Sequence, residues 1–162
     1  MNSADLSAIE GWIGDIAATL EPGARRQLAS KISQSIRKAN AERIAANIQP
    51  DGSAMAPRKP RGIRAKADAK KGGVKRSGKM FAKLKLTRNL RTRADEDGLE
   101  VGFFGGSVAR VAAEHHYGRV GFVAKMKDGR TIRTRYTARR LIGFGADDPD
   151  MILDTIIKHI GG

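Results

Sequence analysis

The chain has 162 residues, of which 40% are hydrophobic and 5% aromatic, a size that suits one domain, 1–162, with a modest core. It contains no cysteine, which excludes disulfides, thiolate metal sites and a thiol nucleophile. No apolar run approaches the length of a transmembrane helix, and Asp5 and Glu10 interrupt the stretch that a signal peptide would need. The composition predicts a soluble, cytoplasmic, strongly basic protein.

Two helices are predicted at the N-terminus. Apolar residues at spacings of three and four predict a helix over 4–20. Pro22 suits the first turn of a second, long helix over 22–48, which a Pro50-Asp51-Gly52 turn ends. The apolar residues of this helix step mostly by four, so their stripe winds around it. Core packing against successive neighbours and a contact with another subunit both explain such a stripe.

The whole charge excess lies in one segment. Residues 58–93 hold 15 basic residues and one acid, a net charge of +14, so the rest of the chain is formally neutral. Residues 50–79 are predicted to form a long basic extended loop, because they are rich in proline and glycine and poor in apolar groups. The loop is either a solvated surface or a contact for a polyanion, namely nucleic-acid phosphates or an acidic protein face. No aromatic residue interrupts 56–79, so we expect no base-stacking platform and no sequence readout. The candidate contact residues are Arg58, Lys59, Arg61, Arg64, Lys66, Lys70, Lys71, Lys75, Arg76 and Lys79.

Residues 80–136 are predicted to form two hairpins with a short helix between them. Alternating residues around the turn at 95–98 indicate the first hairpin, with a strand beginning near Leu86, and residues 80–84 suit one helical turn. Asp128-Gly129 between two strand-like runs indicates the second. A C-terminal helix is expected over 147–160, with its first acidic residues explained by capping. The fold class is therefore α+β: a small antiparallel sheet flanked by N-terminal helices, a short central helix and a C-terminal helix, with a long basic loop.

The sequence shows no arrangement of residues that is typical of a catalytic site. Only Glu114-His115-His116 invites a metal interpretation, but adjacent histidines point to different faces of a helix, and no further ligand can be placed. A histidine that is hydrogen-bonded in or beside the core is the more ordinary explanation. We therefore predict no enzyme activity, no catalytic residue, no metal and no cofactor.

Several segments, in collinear order over nearly the whole chain, carry a resemblance to a known family. Together they resemble the phage virion morphogenesis family, the tail-completion proteins of contractile-tailed bacteriophages and their prophages. The segments are Leu20-Glu-Pro-Gly-Ala-Arg-Arg26, Ile44-Ala-Ala-Asn47-Ile-Gln-Pro-Asp-Gly-Ser53, Pro57-Arg58-Lys59, Met80-Phe81-Ala-Lys-Leu84, Val101-Gly-Phe103, Val111-Ala-Ala-Glu-His115-His-Tyr-Gly118 and Tyr136-Thr-Ala-Arg139-Arg-Leu-Ile-Gly143-Phe. The chain departs from the family pattern at His116, Thr137 and Ala54-Met55.

The resemblance implies a structural virion protein of the neck, made in the host cytoplasm, that completes the tail and joins it to the head. It implies a homo-oligomeric ring, commonly a hexamer, around the DNA channel, adjoining the connector and the tail-terminator or tail-tube proteins, with non-sequence-specific contact with packaged DNA and no membrane. A closed ring needs two different contact surfaces on each subunit. The alternative function is nonspecific nucleic-acid binding through the basic loop. The candidate subunit-interface residues are Ile36, Arg43, Ile48, Met80, Phe81, His115 and Tyr117.

Overall fold

The computed structural model describes residues 14–15, 18–58, 80–126 and 128–161. The helices are α1 (Pro22–Ala46), α2 (Gly106–His116) and α3 (Asp148–Ile160), and the strands are β1 (Arg91–Ala94), β2 (Leu99–Gly102), β3 (Val120–Lys125) and β4 (Thr131–Arg135). Residues 14, 15, 18 and 19 of the predicted 4–20 helix are helical, and its remainder up to residue 17 lies outside the described residues. The α+β prediction is confirmed. No helix in the described part is long and apolar enough to cross a membrane.

Helix α1 contributes residues to both clusters of the hydrophobic core. Pro22 occupies its first turn, where a missing N–H costs nothing, and Asn47 closes it in a left-handed conformation, short of the predicted end at residue 48. Leu28, Ile32 and Ile36 pack with Ile156 of α3. Ile44, further along the helix, packs in a second cluster with buried residues that follow α1 in sequence, namely Met55, Leu84, Leu90, Ala112 and Leu141. Successive core neighbours thus explain the winding apolar stripe.

The first hairpin packs on α1 and begins later than expected. Strands β1 and β2 pair antiparallel, with Arg91 opposite Gly102 and Ala94 opposite Leu99. Leu86 is not in a strand, because the amide of Leu90 bonds to its carbonyl oxygen in a turn. That turn buries the Leu90 side chain completely in the core. Core burial of Leu90 therefore outweighs the strand propensity of the residues around it.

The second hairpin, which we call the arm (β3, its turn and β4), forms a separate two-stranded sheet. The expected single small sheet is therefore two hairpins, with α2 between them in the chain. The arm attaches to the body at its base, where a Cβ on Gly121 would collide with the carboxylate of Glu114 and the ring of Tyr136. Phe122 and other apolar side chains along the arm stay exposed, which is unusual for an element of a folded core.

An ion pair joins α1 to α3. Arg43 donates from Nη1 and Nη2 to the two carboxylate oxygens of Asp148 at 3.0 and 2.8 Å. The amide of Gly145 donates to the same carboxylate at 2.8 Å. Asp147 occupies the N-cap of α3 but makes no side-chain capping bond. The capping explanation is thus wrong for Asp147, and also for Asp148, whose charge is used in a buried tertiary contact.

Candidate functional site

The structure describes the place where the basic loop leaves the body. Of the ten candidate contact residues, Arg58 lies in the described part and is half-buried. The other nine, from Lys59 to Lys79, lie outside the described residues, so their contact with a polyanion stays a prediction. We refer to residues 59–79 as the basic segment.

Arg139 holds the backbone just before the basic segment. Its guanidinium is buried and donates from Nε to the carbonyl oxygen of Ala56 at 2.6 Å and from Nη2 to that of Pro57 at 2.8 Å. A third hydrogen bond, from Nη1 to the carbonyl oxygen of Thr137 at 3.2 Å, fixes the orientation of the guanidinium. Burial, and then the charge of Arg58, lower the pKa of Arg139. A planar cation with several donors is suited to bridge backbone carbonyls in this way.

The chain returns from the basic segment to the same place. Phe81 packs edge-on against the His115 ring, with centroids 5.0 Å apart, and His115 lies 4.3 Å from the Tyr136 ring. The carbonyl oxygen of His115 accepts from the amide of Arg139 at 2.8 Å. The chain therefore leaves the body near Ala56 and returns to it at Phe81, and contacts through Arg139 and His115 connect these two positions. We call this arrangement the mouth of the basic segment.

The two histidines are structural in this setting. Burial lowers the pKa of both, and the charge of Arg139 lowers that of His115 further, as Arg140 does for His116. Nδ1 of His116 accepts from the amide of Leu141 at 3.3 Å, which requires a neutral ring with that nitrogen unprotonated. No group of three His, Cys, Asp or Glu side chains that could hold a metal occurs among the described residues.

Sequence reasoning missed Arg139 as an anchor. Arg139 and Arg140 are adjacent and chemically identical, yet the Arg139 side chain is buried whereas Arg140 is exposed. The backbone amide of Arg140 instead donates to Oε1 of the Gln49 side chain at 2.8 Å. The local signal was the Tyr136-Thr-Ala-Arg139-Arg motif, which supported the resemblance without indicating which arginine turns inward.

The candidate interface residues divide into three groups. Ile36 is 5% exposed and packs in the core of its own chain, and Arg43 is engaged with Asp148. Met80, Phe81 and His115 are half-buried at or beside the mouth. Tyr117 is 62% exposed and Ile48 is 37% exposed, so these two side chains have the most surface for a partner. Contact of any of the seven with another subunit stays a prediction.

Comparison with known proteins identifies the family of the chain. The model of the phage virion morphogenesis family matches residues 4–161. The tail completion protein S of Escherichia phage P2 is 33% identical over 156 residues, covering 96% of this chain and 97% of the relative. No solved structure matches the chain significantly. The resemblance carried by the ordered motifs is confirmed, and the chain belongs to the phage virion morphogenesis family.

Proposed function

We propose that the chain is a structural component of a phage virion that completes the tail and joins it to the head. The observation that carries this proposal is the family match over 4–161, together with a similar relative named as a tail completion protein. The protein acts by binding, with no catalytic residue, metal or cofactor. It is made in the host cytoplasm and ends in the neck of the particle, as a closed ring around the DNA channel.

The mouth supports a binding role for the basic segment. The described residues on either side of this segment are held together, Ala56 and Pro57 by Arg139 and Phe81 by His115, so the chain leaves and rejoins the body at one place. The partners that fit this charge are an acidic face of the adjoining connector or tail-terminator ring, or tail tube, and the phosphates of packaged DNA. Phosphate contact of this kind positions a protein without reading bases.

A deletion and add-back experiment tests the proposed function. The gene is removed from the phage or prophage that encodes it, and particles are examined by electron microscopy. We expect DNA-filled heads and tails that remain separate, and infectious particles after purified protein is added to the extract. Normal joined particles from the deleted phage would overturn the proposal.

Nonspecific nucleic-acid binding is a second candidate, favoured by the net charge of +14 within residues 58–93. If DNA is the main partner, affinity for duplex DNA falls with added salt, with a logarithmic slope of about −0.9 per phosphate contact. Binding that does not depend on salt, or no binding at moderate ionic strength, would remove this candidate. Neither result bears on whether the deleted phage joins its tails.

A further inference from the structure

An apolar groove of about 550 Å³ lies between β2, α2 and the segment before α3. Its walls include Val101 and Phe103 on one side and Ala109 and Ala113 of α2 on the other. Tyr117 and Phe144 line it as well and are 62% and 67% exposed. A volume of this size accommodates a compact apolar ligand or a few side chains of a partner. Exposed aromatic side chains around an apolar recess are typical of a protein-binding surface.

The arm, in contrast to the groove, is an exposed hairpin. Val120, Phe122, Val123, Met126 and Ile132 are each between 41% and 51% exposed. A two-stranded hairpin is marginally stable by itself in water. This number of exposed apolar side chains is typical of a surface that binds a partner. The arm is therefore suited to contact another surface.

The charges of the two surfaces are complementary. On the arm, Phe122 pairs with Arg133 and Val120 with Arg135, so one face carries apolar and cationic side chains side by side. Beside the groove, the exposed turn that precedes β2 holds three carboxylates in succession, at 95–97, whereas the lining residue Glu100 is paired with Arg93 and Arg119 lies over the Tyr117 ring. A basic apolar face thus matches an apolar groove with an acidic edge.

The groove and the arm lie on different sides of α2. Ala109, Ala113 and His116 line the groove, and their spacing of three and four places them on one face of the helix. The base of the arm contacts Glu114, which lies on the opposite face. A chain with complementary surfaces on opposite sides forms head-to-tail contacts, and these close into a ring when the rotation permits.

We propose that the arm of one copy of this chain docks in the groove of the next copy. Phe122 enters between Tyr117 and Phe144, and Arg133 and Arg135 lie against the acidic turn. The contact forms between free chains at high concentration. This inference rests on the proposed ring, to which it supplies the subunit contact.

Cysteine cross-linking tests the contact, since the chain has no cysteine of its own. Val123→Cys on the arm and Ala109→Cys in the groove are placed in separate preparations, one isotopically labelled, then mixed and treated with a short bismaleimide. We expect covalent dimers that contain one chain of each kind. As a matched control, Ile157→Cys on α3, 54% exposed, replaces Ala109→Cys in the mixture and yields no such product above background.

A second measurement tests the arm without cross-linking. Light scattering at the highest soluble concentration should show multimers for the original chain and for Ile157→Ser, and monomers for Phe122→Ser, with unchanged circular dichroism for both variants. Absence of the mixed dimer, cross-links only between like cysteines, or a monomeric original chain would each overturn the proposed contact. The add-back assay remains a separate test, because a chain that assembles by another surface still restores joined particles.

Discussion

Replacing Asp148 by asparagine tests whether the ion pair between α1 and α3 holds the fold together. The Asp148 side chain is 4% exposed, and that of Arg43 is 18% exposed. Asparagine keeps the size of the side chain and one carbonyl oxygen for the Gly145 amide. It removes the charge and leaves the Arg43 guanidinium without its anionic partner.

The loss can be estimated from the burial of the pair. Removing one partner of a buried ion pair costs about 3–5 kcal/mol, because an uncompensated charge remains. Arg43 keeps some exposure and a second acceptor, the carbonyl oxygen of Gly143 at 2.9 Å. We therefore expect Asp148→Asn to lower the free energy of unfolding by about 2–3 kcal/mol. For a chain of this size, that corresponds to a melting temperature lower by roughly 5–10 °C.

The assay is urea unfolding followed by circular dichroism, with Asp150→Asn as the control. Asp150 lies in the same helical turn and is exposed, so its loss is at most about 1 kcal/mol, from the helix dipole. The double variant Arg43→Met/Asp148→Asn should lose less than the sum of its single changes, by about 1–3 kcal/mol. A free energy of unfolding for Asp148→Asn within about 0.5 kcal/mol of that of the original chain would refute a stabilising role for the ion pair.

Further variants test the mouth and the turn beside it. The pKa of His116 is lower in the folded than in the unfolded chain, so stability falls as the pH drops below about 6.5. His116→Gln should therefore bring the urea midpoints at about pH 7.5 and about pH 5.5 closer together. An unchanged difference between the two midpoints would contradict this. Arg139→Lys should speed hydrogen exchange at residues 54–58, whereas the exposed Arg140→Lys should not; equal exchange in both would refute the anchor. Gly118→Ala should cost about 1 kcal/mol more than Gly52→Ala, since both positions have positive φ but a Cβ at Gly118 meets Ala138 at 3.1 Å; equal losses would contradict the close approach.

Much of the fold follows from local patterns in the sequence. The spacing of Leu28, Ile32 and Ile36 indicates α1, and Asp128-Gly129 indicates the arm, because helix and hairpin periodicities are written in neighbouring residues. The same patterns cannot show that the two hairpins stay apart, or that the arm keeps its apolar side chains exposed. Those facts depend on which surfaces meet after folding.

The site could be predicted only in part. The charge of the basic segment is visible in the composition, but its anchor is not, because Arg139 is buried by contacts with residues about 80 positions away in the chain. Asp148 presents the same difficulty: as an acid at a helix start it suggests capping, whereas its partner Arg43 lies 105 residues earlier. Long-range polar contacts of this kind leave no periodic trace in the sequence.

The most direct test of a structural role in the virion is to locate the protein in finished particles. Purified phage carrying an epitope tag on this chain would be examined by quantitative mass spectrometry and by gold labelling in the electron microscope. We expect the chain in every preparation of joined particles, in a constant copy number per particle, with label at the junction of head and tail. Its absence from joined, infectious particles would contradict the proposed role.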